Sequence, residues 1–112
     1  MNECAREITW AGGKHVFNLN DKRVRQILSI RGLPGQYGST PAACLKRFEE
    51  GVYATDDVER ILELALCGGG MPAREVDVLL NEHVRNKPVG PNAVVAFEVL
   101  AALFVGAAHA ST

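Results

Sequence analysis

Polar and apolar residues largely alternate on either side of a pair of glycines. The two flanks are Arg6-Glu7-Ile8-Thr9-Trp10 and His15-Val16-Phe17-Asn18-Leu19. Gly12-Gly13 between them predicts a two-residue hairpin turn, because primed turns need positive φ that glycine adopts without steric cost. With those two residues as the loop, Trp10 pairs with His15, Ile8 with Phe17, and Arg6 with Leu19. Successive strand side chains point to opposite faces. Ile8, Trp10, Phe17 and Leu19 therefore share one side, and Glu7, Thr9, Val16 and Asn18 the other. A hairpin alone is marginal in water, so the apolar side of residues 6–19 is expected to be largely buried against the remainder of the chain.

That remainder reads as helices. Asn20-Asp21 offers a cap, and Val24, Ile27 and Leu28 repeat at helical spacing until Gly32, predicting a helix over 21–31. Gly32 to Gly38 is a loop by its glycines and proline. Thr40-Pro41 restarts a helix as cap and first-turn proline; its apolar positions are Ala43 or Cys44, Leu45 and Phe48, over 41–50. Thr55 is read as the next cap, with Asp56 and Asp57 on the positive end of the helix dipole. Val58, Ile61, Leu62, Ala65 and Leu66 then form one stripe over 56–67, ended by Gly68-Gly69-Gly70. Val76, Leu79, Leu80 and Val84 mark a fourth helix over 72–86, broken by Asn86 to Pro91, and a fifth runs over 92–108. The expected fold is α+β and mostly α, an N-terminal β-hairpin followed by about five helices in one compact domain, residues 1–112.

The fifth helix is different in kind. From Ala93 to Ala108 only Glu98 is charged, yet the run stops short of the ~20 residues that a membrane span requires. A helix that is apolar all round must be buried on more than one side. The surplus is expected to meet another protein, through Val95, Val99, Ala102 and Val105 or through Phe97, Leu100 and Phe104. The alternative is that this helix is the central core helix with the others wrapped around it.

Composition narrows the function. The 112 residues are 47% hydrophobic and 22% charged with a net charge of −1, too apolar for disorder and without a pull towards polyanions or anionic membranes. Cys4, Cys44 and Cys67 are odd in number and include no CxxC pair, which speaks against a disulfide framework and for a reducing cytosol. Residues 1–7 have no basic region leading into an apolar run, so no signal peptide is expected.

Catalysis and cofactors find no support. His15, His83 and His109 lie apart from one another and from the cysteines, so no metal site is expected; His83 follows the apolar stripe of its helix and reads as a packing residue. No nucleophile sits at a strained turn, and the glycine run at 68–70 follows a helix, whereas a phosphate cradle follows a strand. Neither a catalytic residue, a cofactor nor a small-molecule substrate is expected. The rival reading is a small helical DNA-binding regulator using helices 56–67 and 72–86 as a helix-turn-helix. A recognition helix should bring basic and amide side chains to the groove, and here Glu75, Asp77 and Glu82 offset Arg74 and Arg85, so no nucleic acid partner is expected.

The order of elements resembles a known pattern. It comprises a short hairpin, a helix ending in glycine, a loop of small residues with an aromatic, and an amphipathic helix closing on Glu50-Gly51-Val52-Tyr53. The stretch from Ala54 to Gly70, an acidic cap before an Ile-Leu helix with a small-residue end, is similar to the central segment of that pattern, as is Glu75-Val76-Asp77-Val78-Leu79-Leu80 after it. The family is the tail assembly chaperones of gene transfer agents and related tailed phages, whose members are also labelled tail tube or minor tail proteins. The likeness covers roughly Ile8 to Ala108. It implies a non-enzymatic, self-associating assembly factor that holds the tape-measure protein during tail morphogenesis, with no catalytic residues to carry over.

Overall fold

The computed structural model describes residues 3–106. Its hairpin pairs β1 (Arg6–Trp10) with β2 (Gly13–Phe17), antiparallel. The register differs by two residues from the one expected: Arg6 faces Phe17, Ile8 faces His15, and Trp10 faces Gly13. The turn is therefore Ala11-Gly12. Of the two glycines only Gly13 has positive φ, at 112°, whereas a primed turn centred on the pair needs it at Gly12. Gly12 is required by space instead. A Cβ there would lie 2.7 Å from Cζ2 of the Trp10 indole, which folds back over the turn.

A two-residue slip preserves the face of every side chain, so Ile8, Trp10 and Phe17 still share a side. Phe17 is fully buried and Leu19, just beyond β2, is buried too, but Ile8 and Trp10 are only half-buried. Trp10 meets the ring of Phe17 edge-on at 5.6 Å and that of His83 at 6.2 Å, and its Nε1 donates to Nδ1 of His15 at 2.9 Å.

Five helices follow among the described residues: α1 (Lys22–Ile30), α2 (Pro41–Glu50), α3 (Thr55–Gly68), α4 (Ala73–His83) and α5 (Val89–Val105). The first two end where their caps predict. The Asp21 carboxylate accepts from the N–H groups of Arg23 and Val24, the Thr40 hydroxyl accepts from that of Ala43, and Gly51 closes α2 in the left-handed region.

Three boundaries differ from expectation. Ala54, not Thr55, occupies the cap of α3, and the Asp57 carboxylate accepts the Ala54 N–H at 2.9 Å. α4 stops at His83 rather than 86, and positive φ at Asn86 turns the chain. α5 starts at Val89, three residues early, because a proline in the first turn lacks only an N–H that has no helical partner there. It ends at Val105 with positive φ at Gly106, so the expected stretch 107–108 lies outside the described residues.

The centre of the core is α3, not α5. Val58, Ile61, Leu62, Leu64, Ala65 and Leu66 are all buried, and α1, α4, α5 and β2 pack onto this one helix. The Gly68-Gly69 pair lets the hairpin in. A Cβ at Gly68 would lie 1.9 Å from the Asn18 carbonyl oxygen, and one at Gly69 would lie 2.0 Å from that of Val16. Asn18 N–H then donates to the Ala65 carbonyl at 2.9 Å, joining β2 to the end of α3.

Candidate protein interface

With a helical turn every 3.6 residues, the side chains of α5 divide into two faces. Ala93, Ala96, Val99, Leu100 and Ala102 are buried against the rest of the domain. The other face carries Val94 at 70% exposure, Phe97 at 39%, Phe104 at 48% and Val105 at 43%, with the exposed Glu98 beside them. Of the residues that the sequence nominated, Phe97, Phe104 and Val105 stand outward, Val95 is half-buried, and Val99, Leu100 and Ala102 belong to the core. Neither nominated grouping is wholly outward. Val94, which sequence reasoning passed over, is the most exposed member.

The outward face is held on a firm support. Phe97 stacks on Phe48 of α2 at 6.2 Å, and Phe48 stacks on Tyr53 at 4.6 Å, so an aromatic step runs from α5 to the residue beyond α2. At the other end Arg6 of β1 donates to the Gly106 carbonyl at 2.8 Å, and the Cys4 thiol lies 3.8 Å from the Leu103 carbonyl oxygen. A rigid, contiguous apolar surface of this kind removes water from both partners when another apolar surface meets it.

The interior holds a polar constellation that sequence reasoning missed. Arg47, 1% exposed, donates Nε and one amino group to the two oxygens of Asp57 at 3.0 and 2.8 Å. Its remaining donors reach the carbonyls of Leu33 at 2.7 Å and of Gln36 and Gly38 at 3.0 Å each. All five guanidinium N–H groups are thereby engaged, and the hydrogen bond to Asp57 raises the Arg47 pKa further. The pair clasps the α1–α2 loop to α2 and to the start of α3. The available signal was that Arg47 falls three and four residues after Cys44 and Ala43, on the buried side of α2. Outside the clasp, the Tyr37 hydroxyl donates to Glu50, which raises its pKa, and Lys46 Nζ sits 4.4 Å above the Tyr37 ring.

Reactive chemistry is muted. Burial pushes the Cys44 thiol up to about 11, with the Asp57 carboxylate adding to the effect, and burial raises Cys67 as well. No disulfide joins Cys4, Cys44 or Cys67. Among the described residues no group of three His, Cys, Asp or Glu side chains is placed to hold a metal ion, and no helix is long and apolar enough to cross a membrane. Arg85, on which a DNA-binding reading leans, donates to Glu59 at 2.9 Å and to Asp77 at 2.8 Å.

No curated protein and no solved structure matches the chain. The sequence profile of the family described as phage tail tube protein, GTA-gp10, does match, over residues 3–106, and the chain belongs to that family of phage and gene-transfer-agent tail proteins.

Proposed function

We propose that this tail protein is a non-enzymatic assembly chaperone, which self-associates in the bacterial cytoplasm and holds the tape-measure protein until the tail tube forms around it. The observation that carries the reading is the outward face of α5, where Val94, Phe97, Phe104 and Val105 remain exposed on a helix whose other side is core. The resemblance implies a long, aggregation-prone tape-measure protein, and a fixed apolar face would cover apolar stripes on such a client without chemistry. Membership of the tail family supports a structural or assembly role. Catalysis, a cofactor and a nucleic acid have no part in this reading; Arg85, the cation of the helix-turn-helix alternative, is paired with Glu59 and Asp77.

Co-expression with the tape-measure protein of the same phage or gene transfer agent tests it. The wild-type chain should keep that protein soluble and co-purify with it. Phe97→Asp/Phe104→Asp should fold, judged by circular dichroism, and lose the soluble client; Val94→Asp should weaken it. Undiminished recovery with the folded double variant would mean that α5 does not hold the client.

A further inference from the structure

The net charge of −1 conceals a division along the chain. Residues 1–47 carry eight Lys and Arg against three Asp and Glu, while residues 48–112 carry four against ten. The surplus becomes concrete on two helices. Along α1 and its cap, Lys22, Arg23, Arg25 and Arg31 are all exposed, and no acidic residue occurs between Lys22 and Arg31. None of these four cations pairs with a carboxylate among the described residues. Beside them stands Ile30, 83% exposed, an isoleucine in water at the end of a helix whose Val24 and Leu28 face the core.

The outer face of α4 carries mainly the opposite charge. Val76 and Leu80 face inward. Glu75, Val78 and Glu82 succeed one another at helical spacing on the outside, so that a valine, 50% exposed, lies between two exposed carboxylates. α1 and α4 both rest on α3, and a single chain presents both faces to solvent.

We infer that these faces are complementary halves of a head-to-tail contact, α1 of one copy seated on α4 of the next. Ile30 meets Val78, and Arg23 and Arg31 oppose Glu75 and Glu82. This deepens the self-association in the function proposed above and rests on it. The occupant is a second copy because the face of matching charge and matching exposed aliphatic residue is found on the chain itself. A heterologous contact of this type propagates into rings or filaments, according to the rotation it imposes. Helices of about ten residues give a contact in the transient size class, below about 1,200 Å² in total. Its charges lie at the surface, within reach of the ~8 Å screening length of physiological salt. Association should therefore be weak and salt-sensitive, falling at least ~10-fold in affinity between 0.05 and 0.5 M NaCl.

Charge reversal tests the pairing by sedimentation velocity at low salt. Arg23→Glu/Arg31→Glu and Glu75→Arg/Glu82→Arg should each be folded and monomeric at concentrations where the wild type associates. An equimolar mixture of the two variants should associate again, because each supplies the face that the other lacks. Reversed variants that associate like the wild type would overturn this contact and leave self-association through another face standing. A mixture that stays monomeric would overturn the contact as well. A wild type that is monomeric throughout would remove both the contact and the self-association beneath it. A wild type that remains monomeric but binds a short DNA duplex, with binding lost in Arg23→Glu/Arg31→Glu, would give the basic face to a polyanion instead.

Discussion

Arg47→Met removes the guanidinium while keeping most of its apolar stem, and it strands a buried carboxylate. Asp57 would be left with only the Ala54 N–H at 2.9 Å, and the Leu33 carbonyl would lose its 2.7 Å donor inside the protein. The carbonyls of Gln36 and Gly38, in an exposed loop, can turn to water. Removing one partner of a buried ion pair costs about 3–5 kcal/mol, and the resolvated loop places the expectation near the lower end, ~3–4 kcal/mol. Against a domain stability of about 5–15 kcal/mol, the variant remains folded but weakened. Urea unfolding followed by Trp10 fluorescence and by circular dichroism measures it. With a slope of about 1–3 kcal/mol per molar, the midpoint should fall by roughly 2 M. Arg47→Met/Asp57→Ala should cost clearly less than the two single changes added together, since no unpaired charge remains. A loss below ~1 kcal/mol for Arg47→Met, or strict additivity of the pair, would refute the clasp as a stabilising unit.

Gly68→Ala should destabilise the domain by about 1–3 kcal/mol despite the better helix propensity of alanine, because its Cβ would strike the Asn18 carbonyl at 1.9 Å; thermal melting above the wild-type midpoint would contradict this. Cys44, with its pKa near 11, should hold about 100-fold less thiolate than an ordinary thiol of pKa near 9 at pH 8, and iodoacetamide should label it only after unfolding. The same shift carries a sign for stability. The unfolded thiol ionises near 9 while the native one stays protonated to about 11, so this contribution is whole below pH 9 and is lost as pH rises from 9 to 11. Stability that increases over that window in wild type relative to Cys44→Ala would contradict it.

The elements themselves were legible because their signals are local. Asp21 and Thr40 cap the helices they precede, Gly51 ends one in the left-handed region, and alternation across a glycine pair makes a hairpin. Alternation has a period of two, so it fixed which side each strand residue occupies but could not separate two registers that differ by two residues. The fold around Trp10 and Gly12 chose between them. The end of α3 was read from Gly68-Gly69-Gly70 as a simple stop, whereas the need for Gly68 and Gly69 is the backbone of β2 lying against them. Arg47 and Asp57 sit on different helices, and only the fold shows that one side chain ties α2, α3 and a loop together. α5 marks the limit most plainly. A helix apolar on every side carries no periodic contrast, so the sequence left open whether it is core or interface and which residues face which way. The tertiary packing against α3 decided that Val99, Leu100 and Ala102 turn inward and Val94, Phe97, Phe104 and Val105 turn out, because α3 offers a surface to one face of α5 and none to the other.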